Sequence, residues 1–323
     1  MSIRMVCCGI AVAALMAATT AVGGEHWPTR AVKVISPFTS GNAADTVARI
    51  VLDQVSQQVG QAFIFEPRPG AGGTAAAEFV AKADPDGYTV LLSSASLSSQ
   101  LVFHTKLPYD AVQDFAEVSL IGVQPNVLIA SPASGLRTVD SLVAAAKAKP
   151  GTLTFASAGV GSASHMAAER FRVATGIDAR HVPFRGAEGL AEVMAGRIDF
   201  YFIPVSLAVP LITDGKIVAL AVSTPKRASL LPNVPTVAEA GYADAQYLFW
   251  GGLAVPAATP RNIIDALHDE TQKALDAPLV REKLAKLGVE PQHMSVEQFK
   301  QFVRADVAAT IKLATDAHIE ADD

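Results

Sequence analysis

AVKVISPFTSGNAADTVARIVLDQVSQQVG, residues 31–60, places a β-branched strand (Val32–Ser36) directly before a glycine loop and a helical pattern (Ala43–Val59). A strand that feeds a helix within a few residues is the repeating unit of parallel α/β architecture. The alternation continues outward. Phe63–Glu66 reads as a second strand, Pro69–Thr74 as a glycine loop, Ala75–Ala83 as a helix and Thr89–Leu92 as a third strand. Val118–Ala130 is a long apolar stretch interrupted by Pro125, which suits a strand passing between lobes. Beyond it come a helix at Val139–Ala148, a strand at Thr152–Ala156, a helix at His165–Thr175, a strand at Ala179–Val182 and a helix at Ala187–Met194. Strands follow at Ile198–Phe202 and Ile217–Val222, the latter continuous and apolar as if covered on both faces. Trp250–Val255 resembles a return crossing, and helices at Arg261–Leu275, Pro278–Leu287 and Ser295–Ala317 complete the chain.

The first residues carry an address. Arg4 precedes an apolar run from Met5 to Met16, and small residues follow from Ala17 to Ala21. That layout predicts a secretory signal, residues 1–23, cleaved after Ala21 or Gly23; the alternative is an uncleaved anchor. Cys7 and Cys8 lie too early for a lipoprotein anchor and would leave with the signal. A mature chain without cysteine has no disulfide, no Cys-ligated metal and no thiol nucleophile. Its 300 residues suit two lobes, and no later run matches the roughly 18 apolar residues of a membrane helix. The formal charge is −5 with no basic tract, which argues against nucleic-acid binding.

Three loops set small residues between a strand and a helix start: Pro37–Asp45, Arg68–Thr74 and Ser157–His165. Free N–H groups and the helix dipole make such termini sites for carboxylate or phosphate. In parallel sheets the loops gather at the carboxyl edge. Glycine also serves simply to permit a turn, and Asp45 is either a ligand contact or a helix cap. Catalytic patterns are missing: no GxSxG, no GxGxxG, no GxxxxGK[ST]. Ser162 and His165 could face one another on a helix start, but a hydrolytic pair needs an orienting acid and an oxyanion hole; His165 otherwise caps or packs locally. The histidines show no metal-ligand spacing, so neither a metal nor a cofactor is expected. Phe200–Ile203 should be half core by alternation, Trp250 lines a cleft or packs at the crossing, and Lys226-Arg227 forms a solvated turn.

The chain resembles the Bug family, the extracytoplasmic solute-binding receptors of tripartite tricarboxylate transporters. The likeness rests on WPTRAVKVISPF, SGNAADTVAR, EPRPGAGG, ADPDGYTVLL, LPYDAVQDF, GVGSASHMAAERF, VPFRG, AGRIDF, GKIVALAVSTPKR, LPNVPTVAEAGY and WGGLAVPAATP in that order. It implies a type II periplasmic-binding fold: two α/β lobes, residues 24–123 plus 250–323 and residues 124–249, joined by two crossing strands around a cleft. It also implies a periplasmic, monomeric, non-catalytic receptor that closes on a small organic acid and presents it to a membrane permease. A sensor kinase is the alternative partner, and a periplasmic hydrolase or isomerase the alternative function. Carried onto this sequence, the first carboxylate would meet Phe38, Ser40, Gly41, Asn42 and Asp45, with Ser94 and Ala95 beside them. The second lobe would contribute Ser157, Gly161, Ser162 and His165, with Arg185, Gly186, Phe202 and Ile203 as wall residues. Family members usually read PFPPGG or PFxxGG where this chain has Ser40 and Asn42. Many carry an acidic or amide residue at Ile203, so an acid with an apolar body is expected rather than an amino acid.

Overall fold

The computed structural model describes residues 27–38, 42–70, 73–104, 106–184, 188–317 and 319; the expected signal peptide lies outside them. Two five-stranded sheets are built from strands β1 (Val32–Ser36), β2 (Phe63–Pro67), β3 (Thr89–Ser94), β4 (Phe115–Gln124), β5 (Asn126–Ala130), β6 (Thr154–Ser157), β7 (Arg180–Pro183), β8 (Phe200–Pro204), β9 (Val218–Val222) and β10 (Phe249–Pro256). The first sheet runs β2-β1-β3-β10-β4 and the second β7-β6-β8-β5-β9, the same order twice. Within each, three strands are parallel and the fourth is antiparallel to both neighbours: β10 between β3 and β4, β5 between β8 and β9. Each antiparallel strand is the one by which the chain enters a sheet from the other side of the molecule. β4 passes into β5 across Pro125, and β10 returns to the first sheet after β9.

The α/β lobes joined by two crossing strands are as expected, and the crossing strands make each sheet mixed. The apolar run at 217–222 contains β9, an edge strand covered on both faces as expected: Leu220 and Ala221 pack into one apolar cluster and Ile217 and Val222 into another. Alternation fails along β8. Phe200, Tyr201, Phe202 and Ile203 are all buried, because Phe200 and Phe202 face one apolar cluster while Tyr201 and Ile203 face another. A central strand covered on both faces has no solvent side.

Ten helices are described: α1 (Ala43–Val59), α2 (Thr74–Ala81), α3 (Ala95–Phe103), α4 (Val139–Ala148), α5 (Ala163–Thr175), α6 (Glu188–Met194), α7 (Val205–Thr213), α8 (Arg261–Asp276), α9 (Pro278–Lys286) and α10 (Val296–Ala317). α1 and α4 have the limits that the apolar periodicity predicts; their ends are marked by Asn42 and Gly60, and by Thr138 with a reciprocal Ser141 bond. α3 and α7 were not expected. α3 carries three serines yet buries nearly every residue, and α7 tolerates Pro210 because Val205 and Ala208 anchor it in the second apolar cluster.

A continuous core links the sheets. Trp250 packs at the crossing, edge-on to Phe299 and Phe302 of α10 at 5.7 and 5.8 Å. α10 also packs on α3, β4 and α5, so one helix touches elements on both sides of the crossing.

Candidate ligand-binding site

Strands β1, β3, β6 and β8 end at a common cavity of about 390 Å³, and helices begin where they stop. Its described walls come from Pro37, Phe38 and Asn42 after β1, Gly70 and Gly73 ahead of α2, and Ser96 in the first turn of α3. The other side supplies Ala158 to Ser164, and Tyr201, Phe202 and Pro204 of β8. Gln124, Asn126 and Phe249, from the two crossings, complete it. The described lining holds no Asp, Glu, Lys or Arg. The polar groups of that described lining are hydroxyls, amides and backbone groups.

Each helix start has its own chemistry. Asn42 caps α1, its Oδ1 accepting the Ala44 N–H at 2.9 Å. Gly73 begins α2 at φ 109° without a side-chain cap, a conformation that favours glycine, so the first N–H groups of α2 meet no capping side chain. Ser94 caps α3, and its hydroxyl lies 2.7 Å from that of Ser96. Ser162 caps α5 by accepting the His165 N–H at 3.3 Å. This leaves the Ala163 and Ser164 N–H groups without helical acceptors.

The loop before α5 is more committed than a bare glycine turn. Ser164 Oγ accepts the Ala158 N–H at 3.0 Å, Ser157 Oγ that of Gly159 at 3.1 Å, and His165 Nδ1 that of Gly161 at 3.2 Å. Gly161 sits at φ 73°, and a Cβ on it would come within 3.0 Å of Phe103 and 3.2 Å of Gln100 Nε2. Ser99 of α3 donates to the Gly161 carbonyl at 2.8 Å, so α3 of the first sheet is bonded to the second sheet's loop.

Of the expected site residues, the structure gathers Phe38, Asn42, Gly161, Ser162 and Phe202 around the cavity. Ser40, Gly41, Arg185 and Gly186 fall outside the described residues. The remaining six do not line it. Asp45 is buried and paired with Arg49 at 2.8 Å; Ser94 and Ala95 stand behind Ser96. Ile203 points into core, so the expectation of a non-amino ligand loses the support it drew from that position. Ser157 bonds His181 Nε2 at 2.7 Å, and the His165 and His181 rings stack with centroids 3.9 Å apart beside Phe155. Burial, then the charges of His181 and Arg172, push His165 down to about 3, and burial pushes His181 down to about 4. Both are neutral near pH 7. His165 supports the loop from behind, and its Nδ1 is already engaged by Gly161, so it forms no nucleophile–base pair with Ser162.

Sequence reasoning missed Ser96, Gln124, Asn126, Tyr201, Ser164 and Phe249. The available signal was the Gln124-Pro125-Asn126 break: two amides where an apolar strand changes sheets. Both residues are buried, neither side chain bonds a described residue, and Asn126 Oδ1 has no partner. Among the described residues no cluster of three His, Cys, Asp or Glu could hold a metal, and no helix is long and apolar enough to cross a membrane.

A two-sheet receptor with a neutral, helix-ringed cavity at its crossings defines a class, and comparison with known proteins places the chain within it. Residues 47–317 match TctC, the tripartite tricarboxylate transporter family receptor, and the chain belongs to that family. It is 31% identical over 289 residues to protein BugT of Bordetella pertussis, covering 88% of this chain and 89% of BugT. Rpa4515 of R. palustris, solved with adipate, superposes with a TM-score of 0.82 at 32% identity, covering 92% of this chain and all of that one. MatC of Rhodopseudomonas palustris, solved with malate, superposes at 0.78 with 30% identity, covering 89% and 99%. The fold is that of the periplasmic two-lobe binding proteins, and the chain is a Bug-type solute-binding receptor.

Proposed function

We propose that this receptor binds a small organic acid in the periplasm, without converting it, and presents it to the permease of a tripartite tricarboxylate transporter. The observation that carries the proposal is the convergence of the α1, α2, α3 and α5 N-termini on one cavity whose described lining has no acidic residue. Helix N-termini stabilise anions, whereas the ammonium of an amino acid would require a carboxylate partner. Adipate and malate in the two neighbours are acids of the same kind. Asn42 and the Ser162–Ser164 turn stand on opposite sides of the cavity, and a ligand held by both would bridge the lobes. We place the pivots at the two crossings, Val123–Pro125 and Phe249–Trp250, dividing the chain into 24–123 plus 250–323 and 124–249. The same Ser99–Gly161 bond and α10 packing that tie the two sides together would set the range of closure.

A thermal-shift panel of mono-, di- and tricarboxylates alongside aspartate and glutamate tests this. A carboxylate at 100 times its Kd adds about 2.7 kcal/mol to the folded state, seen as a raised Tm. Ser162→Ala and Asn42→Ala should each weaken the best acid while leaving the unliganded Tm near wild type. Preference for the amino acids, or unchanged affinity in both variants, refutes the reading.

A further inference from the structure

Gly251 lies on β10 opposite Ser94 and Gly122, beside a register shift in the β10–β4 pairing, and no steric contact demands glycine there. Its φ is not positive, and a Cβ built on it meets no atom within 4 Å. Its neighbours differ. A Cβ on Gly252 would stand 2.4 Å from Phe299, and one on Gly122 would stand 2.9 Å from the Glu290 carbonyl. Glycine inside a strand costs stability and often marks a bulge, and the β10–β4 register shifts between Gly251 and Gly252; the shift leaves the position above the Gly251 Cα open. The space over Gly251 is a pouch of about 20 Å³ walled by Ala44, Val47, Leu92, Ile121 and Val289. By that measure a water-sized group needs roughly 10–15 Å³, so the pouch admits one methyl group and offers it almost no polar partner. Gln124 and Phe249 line both the pouch and the main cavity, so the two spaces share a wall.

We infer that the pouch over Gly251 is a specificity subsite taking the apolar end of the ligand, beneath the first turn of α1 and past Phe249. It selects acids whose chain ends in a methyl or methylene group over equally charged acids that are shorter. This rests on the carboxylate-receptor reading and adds to it the part of the ligand far from the acid group. Phe249 is half-buried, lies two residues before Gly251 on β10 and belongs to the wall that the two spaces share, so the subsite requires its ring to turn aside as the chain enters.

The test is calorimetric titration of straight-chain monocarboxylates from butanoate to octanoate, with succinate and adipate alongside, against wild type, Gly251→Ala and Gly251→Ser. Burying one methylene is worth about fourfold in affinity. Wild type should gain that factor per carbon until the chain fills the pouch. Gly251→Ala should stop the gain one carbon earlier, lowering the long-to-short affinity ratio about fourfold. Gly251→Ser, of similar size but polar, should lower it at least as far. Both variants should fold, and Gly251→Ala should melt at or above wild type. An unchanged ratio, a parallel loss across all acids, or binding confined to the dicarboxylates overturns the subsite while leaving the receptor reading intact. Failure of every carboxylate to bind wild type overturns the receptor reading and the subsite with it.

Discussion

Acidification should weaken this protein through a histidine that stands outside the described cavity lining, and His165→Phe isolates the effect. In the folded chain burial, then the charges of His181 and Arg172, push protonation of His165 down to about 3, and the neutral ring accepts the Gly161 N–H on Nδ1 and stacks on His181. The unfolded side chain protonates near 6.5. Because the folded value is depressed, the linked stability is intact above pH 6.5 and falls as pH drops through 6.5, until the folded ring itself titrates near 3. At pH 5 that loss is about 2 kcal/mol for His165. His181 adds in the same direction, reduced by screening because its ring is partly exposed. Phenylalanine keeps a ring between Phe103 and His181 but accepts no hydrogen bond, stranding the Gly161 N–H at a cost of about 1–3 kcal/mol. The variant should therefore be the weaker protein at pH 8, and the gap should close by about 2 kcal/mol at pH 5. Urea denaturation at both pH values measures this. A wild-type-to-variant difference that stays constant between pH 8 and 5 would show that the ring is not held neutral by the fold.

Glu117 titrates oppositely, which is why the difference between two proteins is needed. Burial raises its pKa to about 8, so the stability linked to it is fully present below about 4.5 and lost as pH rises through 8. Glu117→Gln should abolish that decline, and denaturation at pH 5 and 9 reads it; a Gln variant that still loses the same stability over this range would contradict the assignment. Gly252→Ala should destabilise by about 1–3 kcal/mol, since its methyl collides with Phe299, as urea midpoints at pH 8 would report. An unshifted midpoint would mean that Phe299 yields freely.

The fold was legible wherever local signals and burial agreed. Val32–Ser36, Ala43–Val59 and Val139–Ala148 appear at their expected limits because apolar period and capping residues point the same way. α3 was hidden because ASLSSQLVF has no polar stripe: both faces are covered, one by α10 and one by α5. α7 was hidden by Pro210, a residue that argues against a helix interior. Strand direction was not readable either, because β5 and β10 are as apolar as their parallel neighbours and only their origin across the crossing makes them antiparallel. At the site, loops rich in glycine announced themselves, but which residues face inward depends on tertiary packing. His165 and Ser157 carry the right chemistry for ligand contact, yet both are spent holding the loop. Gln124 and Asn126 looked like the edges of a strand break, and they form the cavity floor.

That floor carries a mechanical consequence. Gln124 and Asn126 flank Pro125 on one crossing, and Phe249 opens the other, so the cavity is bounded below by the same residues that join the sheets. A change in the angle between the sheets must alter the spacing between Asn42 on one rim and Ser162 on the other. A molecule that bonds both rims adds its contact energy only to arrangements in which both are within reach, and it shifts the population by that difference. With the pivots and contacts proposed above, no relay across the protein would be required, because the two would fall in the same place. Trp250, packed edge-on against Phe299 and Phe302 of α10, would limit that change: opening that separates the sheets at this point would expose the core they share. Motion that leaves Trp250 packed costs little apolar burial, and motion that unpacks it costs a large aromatic side chain. The closure proposed above would therefore be rotation about the crossings with that core intact.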